Sequence, residues 1–312
     1  MFNFRTDLAL ERRDIYRKVN NLENEIEGIE SEEETINEKI KVNRVIVVDE
    51  KGEDAIGKLK GSYITVDLKG LKTATEEDIT KASETITNEL KVLIEKHVGV
   101  QDSILVVGLG NESVTPDALG PKVIEEIDVT RHILTYMPEV LDEGAREVSA
   151  VSPGVLGTTG IETQEILKGI VDNVKPKLLI VIDALASKSI ERISSTVQIA
   201  DTGIVPGAGV GNTRKEISQK TLGVPVIALG IPTVVDLATI TDDCLDLFIT
   251  KLQEEAKSND YLNKLKEQDN YEEIKEALVP QGYNMIVTPK EIDELVENMS
   301  NIVARGINFA VN

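Results

Sequence analysis

Five short runs of Val, Ile and Leu recur after residue 100: Ile104–Gly108, Val148–Val151, Leu178–Ile182, Thr196–Ala200 and Val224–Gly230. They are near-continuously apolar rather than alternating, which is the pattern of strands covered on both faces. Helical segments begin near Pro116, Ile161 and Thr241, between several of them. That alternation restricts the chain to an α/β fold, a mostly parallel sheet flanked by helices.

The remainder reads as additions to this frame. Residues 7–19 form a short helix with Leu8, Leu10 and Ile15 among charges, and Glu23–Glu34 is a solvated loop or fraying helix. Val42–Val48 and Tyr63–Leu68 are β-rich runs separated by the glycine-containing segment 51–61, a small sheet. Thr75 caps a helix to His97 with an apolar stripe through Ile79, Ala82, Ile86, Leu90, Leu93 and Ile94. Charged helices are expected over 242–257 and 260–277, then a strand Met285–Val287. Thr288, Pro289 and Glu291 supply the N-cap, N1 and N3 positions of a last helix to about Ala304. The expected division is 1–100 as an N-terminal helix, small β elaboration and helix, and 101–312 as the main α/β region with its C-terminal helices, all in one continuous unit.

Composition narrows the chemistry. With 34 Lys and Arg against 55 Asp and Glu, the net charge of −21 disfavours direct nucleic-acid binding. The single cysteine, Cys244, excludes an intrachain disulfide and a Cys-rich zinc site, and His97 and His132 are the only imidazoles. Cys244, flanked by Asp242, Asp243 and Asp246, reads as a packing residue of a helix. The N-terminus carries no apolar leader, and the longest apolar stretch, Leu178 to Ala186, is broken by Asp183 and too short to span a bilayer. A soluble, unexported protein is expected.

Ligands of open α/β sheets collect beyond the carboxyl ends of the strands. After the strand at 104–108 come Thr115, Pro116 and Asp117, reading as the cap, N1 and first turn of a helix. Asp183 directly follows the five apolar residues of 178–182, where a carboxylate costs desolvation unless it is paired or used. If the two strands are neighbours, Asp117 and Asp183 converge and can share one proton, the ionised member activating water while the other protonates a carbonyl oxygen or leaving group. Which is base and which is acid is not legible. Asp201, in Asp201-Thr202-Gly203, is a secondary candidate on the same rim, with a turn as its plainer role. Two glycine-rich loops complete the rim, one with Gly154 and Gly157 and a Thr159–Glu162 capping-box pattern, the other with Gly207, Gly209, Gly211 and Asn212. They are expected to bind substrate backbone or to move over it. Dinucleotide binding is the rival: Gly108-x-Gly110 follows a strand and Asp128 lies at the ribose-acid distance, but the third glycine is missing and Asp117 sits where pyrophosphate would.

Longer blocks carry more. Arg5-Thr6-Asp7-Leu8-Ala9-Leu10-Glu11, Gly108 to Asn111, Thr115 to Pro121, Pro153 to Gly157, Gly160 to Thr163, Ile182 to Ser187 and Asp201 to Ile204 follow one another in order. So do Gly207 to Asn212, Pro232 to Asp236 and Val287 to Asp293. In these blocks the chain resembles the spore germination protease family, whose fold is similar to that of hydrogenase-maturation endopeptidases. The resemblance implies an endopeptidase that degrades small acid-soluble spore proteins at germination, made as a zymogen that loses a short N-terminal segment, assembling as a homotetramer. It implies a cytoplasmic location in the forespore and spore core. It places Asp117 and Asp183 on positions that are metal-binding acids in the related fold, where the third ligand is a histidine. No histidine follows His132 here, so an aspartic-type pair without a metal or other cofactor is expected, with metal-dependent hydrolysis at the same site as the alternative. Only four residues precede Arg5-Thr6-Asp7 in this sequence, so any removable segment is expected to be very short.

Overall fold

The computed structural model describes residues 6–70, 74–142, 144–210, 214–255, 271–278 and 285–312. Strand β4 (Ile104–Gly108) pairs in parallel with β5 (Val148–Val151) on one side and β6 (Leu178–Ser187) on the other, and β6 pairs in parallel with β8 (Val226–Asp236). These are the apolar runs of the sequence, the last two extended. Beyond β8 the sheet turns antiparallel through β7 (Thr196–Ala200), β3 (Gly61–Leu68), β2 (Ile40–Val47) and β1 (Ile29–Thr35), while the short β9 (Ile286–Val287) pairs with the end of β8. Among the described residues this makes one nine-stranded sheet. The expected small N-terminal sheet is thus the antiparallel wing of the main one.

Alternation along each strand sorts the core into two layers. Ile104, Val106, Ile180 and Ile182 pack against α3 (Glu76–His97), α4 (Leu119–Glu125) and the last helix, while Leu105, Val107, Leu179 and Val181 face α7 (Thr163–Val174) and α8 (Gln219–Leu222). At the antiparallel wing Val45, Val47 and Tyr63 are covered by α1 (Ala9–Val19) and α2 (Glu50–Ile56). Among the described residues five more helices complete the set: α5 (Arg131–Tyr136), α6 (Leu156–Thr159), α9 (Leu237–Glu255), α10 (Tyr271–Leu278) and the last helix, α11 (Ile292–Val311).

Several local expectations change. The glutamate run is not loop throughout, because Ile29–Thr35 pairs residue for residue with β2, and Lys41 and Arg44 across the ladder pair with Glu33 and Glu34 at 2.9 and 2.8 Å. The segment between β2 and β3 contains α2, capped by Asp49, whose side chain accepts from Lys51 and Gly52. Thr75 caps α3 as expected, and Asp78 completes a capping box with it. Thr288 does not cap the last helix: its hydroxyl donates to the Thr233 carbonyl at 2.9 Å, so the helix starts at Ile292 and runs on to Val311. Thr159 likewise accepts from Ile161 inside its own loop, and α7 begins without a side-chain cap. Much of the helix expected over 260–277 lies outside the described residues.

Gly108 and Gly120 let β4 and α4 touch backbone to backbone, since a Cβ on Gly108 would sit 2.2 Å from the Gly120 carbonyl oxygen. Gly108→Ala is expected to cost about 1–3 kcal/mol by overpacking. Gly169→Ala, in α7 with nothing within 4 Å of the added carbon, is expected to gain about 0.5–1 kcal/mol from helix propensity. Urea unfolding of the two variants measures both signs.

Candidate active site

The sheet connections reverse between β4 and β6: from β4 the chain passes to β5 on one side, from β6 toward β8 on the other. The crevice beyond the carboxyl ends of those two strands is where the ligand of such a sheet is expected. It holds a cavity of about 420 Å³ lined by both Asp117 and Asp183.

Asp183 continues the β6 row of Leu179 and Val181 and sits opposite Gly230 of β8. It is 5% exposed, and the Ala184 N–H donates to its Oδ1 at 3.0 Å. Burial pushes its carboxyl well above the ordinary range, and the charges of Asp117 and Asp7 push it further. Asp117 ends a tight turn, Thr115–Asp117, rather than sitting in the first turn of a helix capped by Thr115. The Asn111 N–H donates to its Oδ2 at 2.8 Å and to its carbonyl oxygen at 3.1 Å, closing the loop on itself. That closure requires Gly110, whose φ is +118° and where a Cβ would lie 1.9 Å from the Asp117 oxygen. Burial raises the Asp117 carboxyl, and the Asn111 hydrogen bond restrains the rise. The two acids are therefore unequal: Asp183 holds its proton more tightly.

A third carboxylate was not singled out from sequence. Asp7 lines the same cavity, donates its N–H to the Ala186 carbonyl at 2.9 Å and accepts the Ala186 N–H on Oδ2 at 2.9 Å. It follows no strand, so a search of strand ends passes over it; its only sequence signal is membership of the block Arg5 to Glu11.

Gly154 and Gly157 of the first loop and Gly207 of the second line the cavity. Gly209 packs on Asp7, where a Cβ would lie 2.3 Å from the carboxylate. Gly211 and Asn212 lie outside the described residues. Asp201 is not part of the site: its Oδ1 accepts the Ser62 N–H at 2.7 Å and pins the start of β3. Gly108, of the dinucleotide reading, serves the contact with Gly120, and Asp128 is exposed with its N–H donated to Asn308. Cys244 is exposed on α9 rather than packed. His97 ends α3 and His132 lies in α5, and neither lines the cavity. As a metal site the cavity offers carboxylate oxygens without imidazole or thiolate, a donor set that does not suit zinc. Among the described residues no three His, Cys, Asp or Glu group as a metal cage.

The germination protease family model matches residues 7–265 and 259–312 of the chain. A germination protease of Clostridium acetobutylicum is 47% identical over 317 residues, covering 100% of this chain and 96% of that protein. One from Caldanaerobacter subterraneus subsp. tengcongensis is 48% identical over 318 residues, covering 100% and 95%. A solved NiFe hydrogenase maturation protease from Thermococcus kodakarensis is 15% identical with a TM-score of 0.36, covering 72% of this chain and 99% of that one.

Because folded Asp183 keeps a proton that the unfolded chain releases above about pH 4, its contribution to stability falls as pH rises toward the raised folded value. Asp183→Asn removes that loss. Its stability relative to the parent is expected to improve as the pH is raised from about 5 to 8, measured by urea unfolding; a constant difference across that range contradicts the assignment.

Proposed function

The chain belongs to the germination protease family and is an endopeptidase of spore germination, and we propose that it cleaves small acid-soluble spore proteins through the carboxylate pair Asp117 and Asp183. The observation that carries the mechanism is a buried acid within β6 that lines one cavity together with a second acid, whose charge acts on it. Asp117, the less perturbed of the two, is the ionised member. It takes a proton from water as the oxygen attacks the peptide carbonyl carbon, while Asp183 gives its proton to the carbonyl oxygen. As the tetrahedral intermediate collapses, Asp117 passes its proton to the leaving amine and the hydroxyl proton returns to Asp183. Both carboxyls end as they began.

The family's zymogen control and homotetramer are part of the same proposal. Asp7 supports the first, because the chain that follows the expected removable segment forms part of the wall of the cavity that substrate must enter. A spore-core location accords with a chain in which, among the described residues, no helix is long and apolar enough to cross a membrane.

Asp117→Asn and Asp183→Asn are each expected to lower cleavage of purified small acid-soluble spore protein by about 10²–10⁴-fold while circular dichroism stays unchanged. Undiminished turnover in either variant removes the pair. Full activity after exhaustive chelation is the expected result for a carboxylate mechanism, and activity lost to chelator and restored by a divalent metal selects the metal-dependent alternative.

A further inference from the structure

Strand β5 is one edge of the sheet, and its exposed side leads into the cavity wall. In a parallel ladder alternate residues direct both backbone groups to the same neighbour. The Ile104 N–H donates to the Glu147 carbonyl at 2.9 Å, and Ile104 stands opposite Val148. Glu147, Ser149 and Val151 therefore face β4, and Val148 and Ala150 face outward.

The two outward residues are treated differently. Thr130 closes the edge at Val148, its Oγ1 accepting the Val148 N–H at 2.9 Å and its own N–H donating to the Val148 carbonyl at 3.0 Å. Thr130 is itself buried and fixed, its hydroxyl donating to the Arg146 carbonyl at 2.5 Å. No described residue occupies the N–H or the carbonyl of Ala150. Ser149, Ala150 and Val151 are half-buried and Ser152 is exposed, and two residues further on Gly154 lines the cavity. The edge is thus blocked at its amino end and open at the end nearest the two acids.

We propose that the open end of β5 is an accessory binding site for an extended segment of the polypeptide substrate, which adds as a further strand beside Ala150. The inference rests on the endopeptidase reading and says how a long substrate is held. Backbone groups make the contact, so it selects for extended chain rather than for particular side chains. The added strand lies three inter-strand spacings from β6, about 14 Å. A segment must therefore reach about four or five residues beyond the scissile bond to occupy it.

The test uses peptides copied from a mapped cleavage site of a small acid-soluble spore protein. One set extends about seven residues on each side of the scissile bond, the other about two. The long peptide is expected to show a kcat/KM about tenfold higher, through KM, as one or two added hydrogen bonds provide. A single N-methyl group on one backbone amide four to six residues from the scissile bond is expected to abolish that advantage. Ala150→Pro removes only the outward N–H, leaves the Ser149 and Val151 bonds to β4, and is expected to abolish it too, with short-peptide cleavage unchanged. Equal kcat/KM for long and short peptides overturns the proposal, and so does a long-peptide advantage that survives every N-methyl position. Cleavage of neither peptide nor of the intact protein counts against the endopeptidase mechanism instead.

Discussion

Burial of β6 on both faces is the constraint on which the rest of the structure depends. Leu178 to Ile182 are wholly buried between two helical layers, and β6 hydrogen-bonds to β4 on one side and β8 on the other. A strand held this way cannot slip or swing, so Asp183 is delivered to a fixed point with little water around it. In water a carboxyl ionises near pH 4. Here ionising it would place a charge in a low-dielectric setting beside two other acids, so the proton stays on. Burial and the neighbouring acids set this shift, and among the described residues no cation enters it.

The N-terminal segment is fastened to the same strand. Glu11 is buried, and its carboxylate accepts the Lys188 and Ser189 N–H groups at 2.8 and 3.1 Å, just past the end of β6. The Thr6 hydroxyl donates to Glu11, and Gln198 of β7 accepts the Ala9 N–H at 2.7 Å. Arg192 approaches Glu11 at 3.4 Å. These contacts bring Asp7 against Ala186 and into the cavity. A chain of net charge −21 spends most of its acids on the surface, where water screens them. The few held away from water are those whose proton affinity the fold raises.

What could be read from sequence follows from the range of the interactions involved. Apolar runs announce buried strands because burial depends on composition alone, and the acids after β4 and in β6 were legible because strand ends are where such sheets bind. Asp7 was not legible, since its place depends on hydrogen bonds to residues about 180 positions away. Strand β1 was hidden because glutamates have poor strand propensity, and only the ladder with Lys41 and Arg44 makes that run extended. Thr288 misled for the same reason: a local cap competed with a contact to Thr233 in β8, and the contact prevailed. The unequal proton affinities of Asp117 and Asp183 had no sequence signal, because they arise from depth and from Asp7.

The two edges of the sheet differ in how they are protected. At β1 the edge is seven residues long, and Glu30, Glu32, Glu33 and Glu34 stand exposed along it. A second copy of this acidic chain approaching there meets like charge, which is one way an edge is kept from recruiting another strand. At β5 the edge is four residues long and carries no charged residue, and among the described residues it is closed only at Val148, by Thr130. Edge protection is therefore strong where the sheet is far from the cavity and is withdrawn beside it. A protein that merely avoided aggregation would gain nothing from that difference. On the proposed reading, an extended substrate reaching Asp117 and Asp183 uses unpaired backbone groups there, and the two at Ala150 lie on the side from which the cavity wall begins.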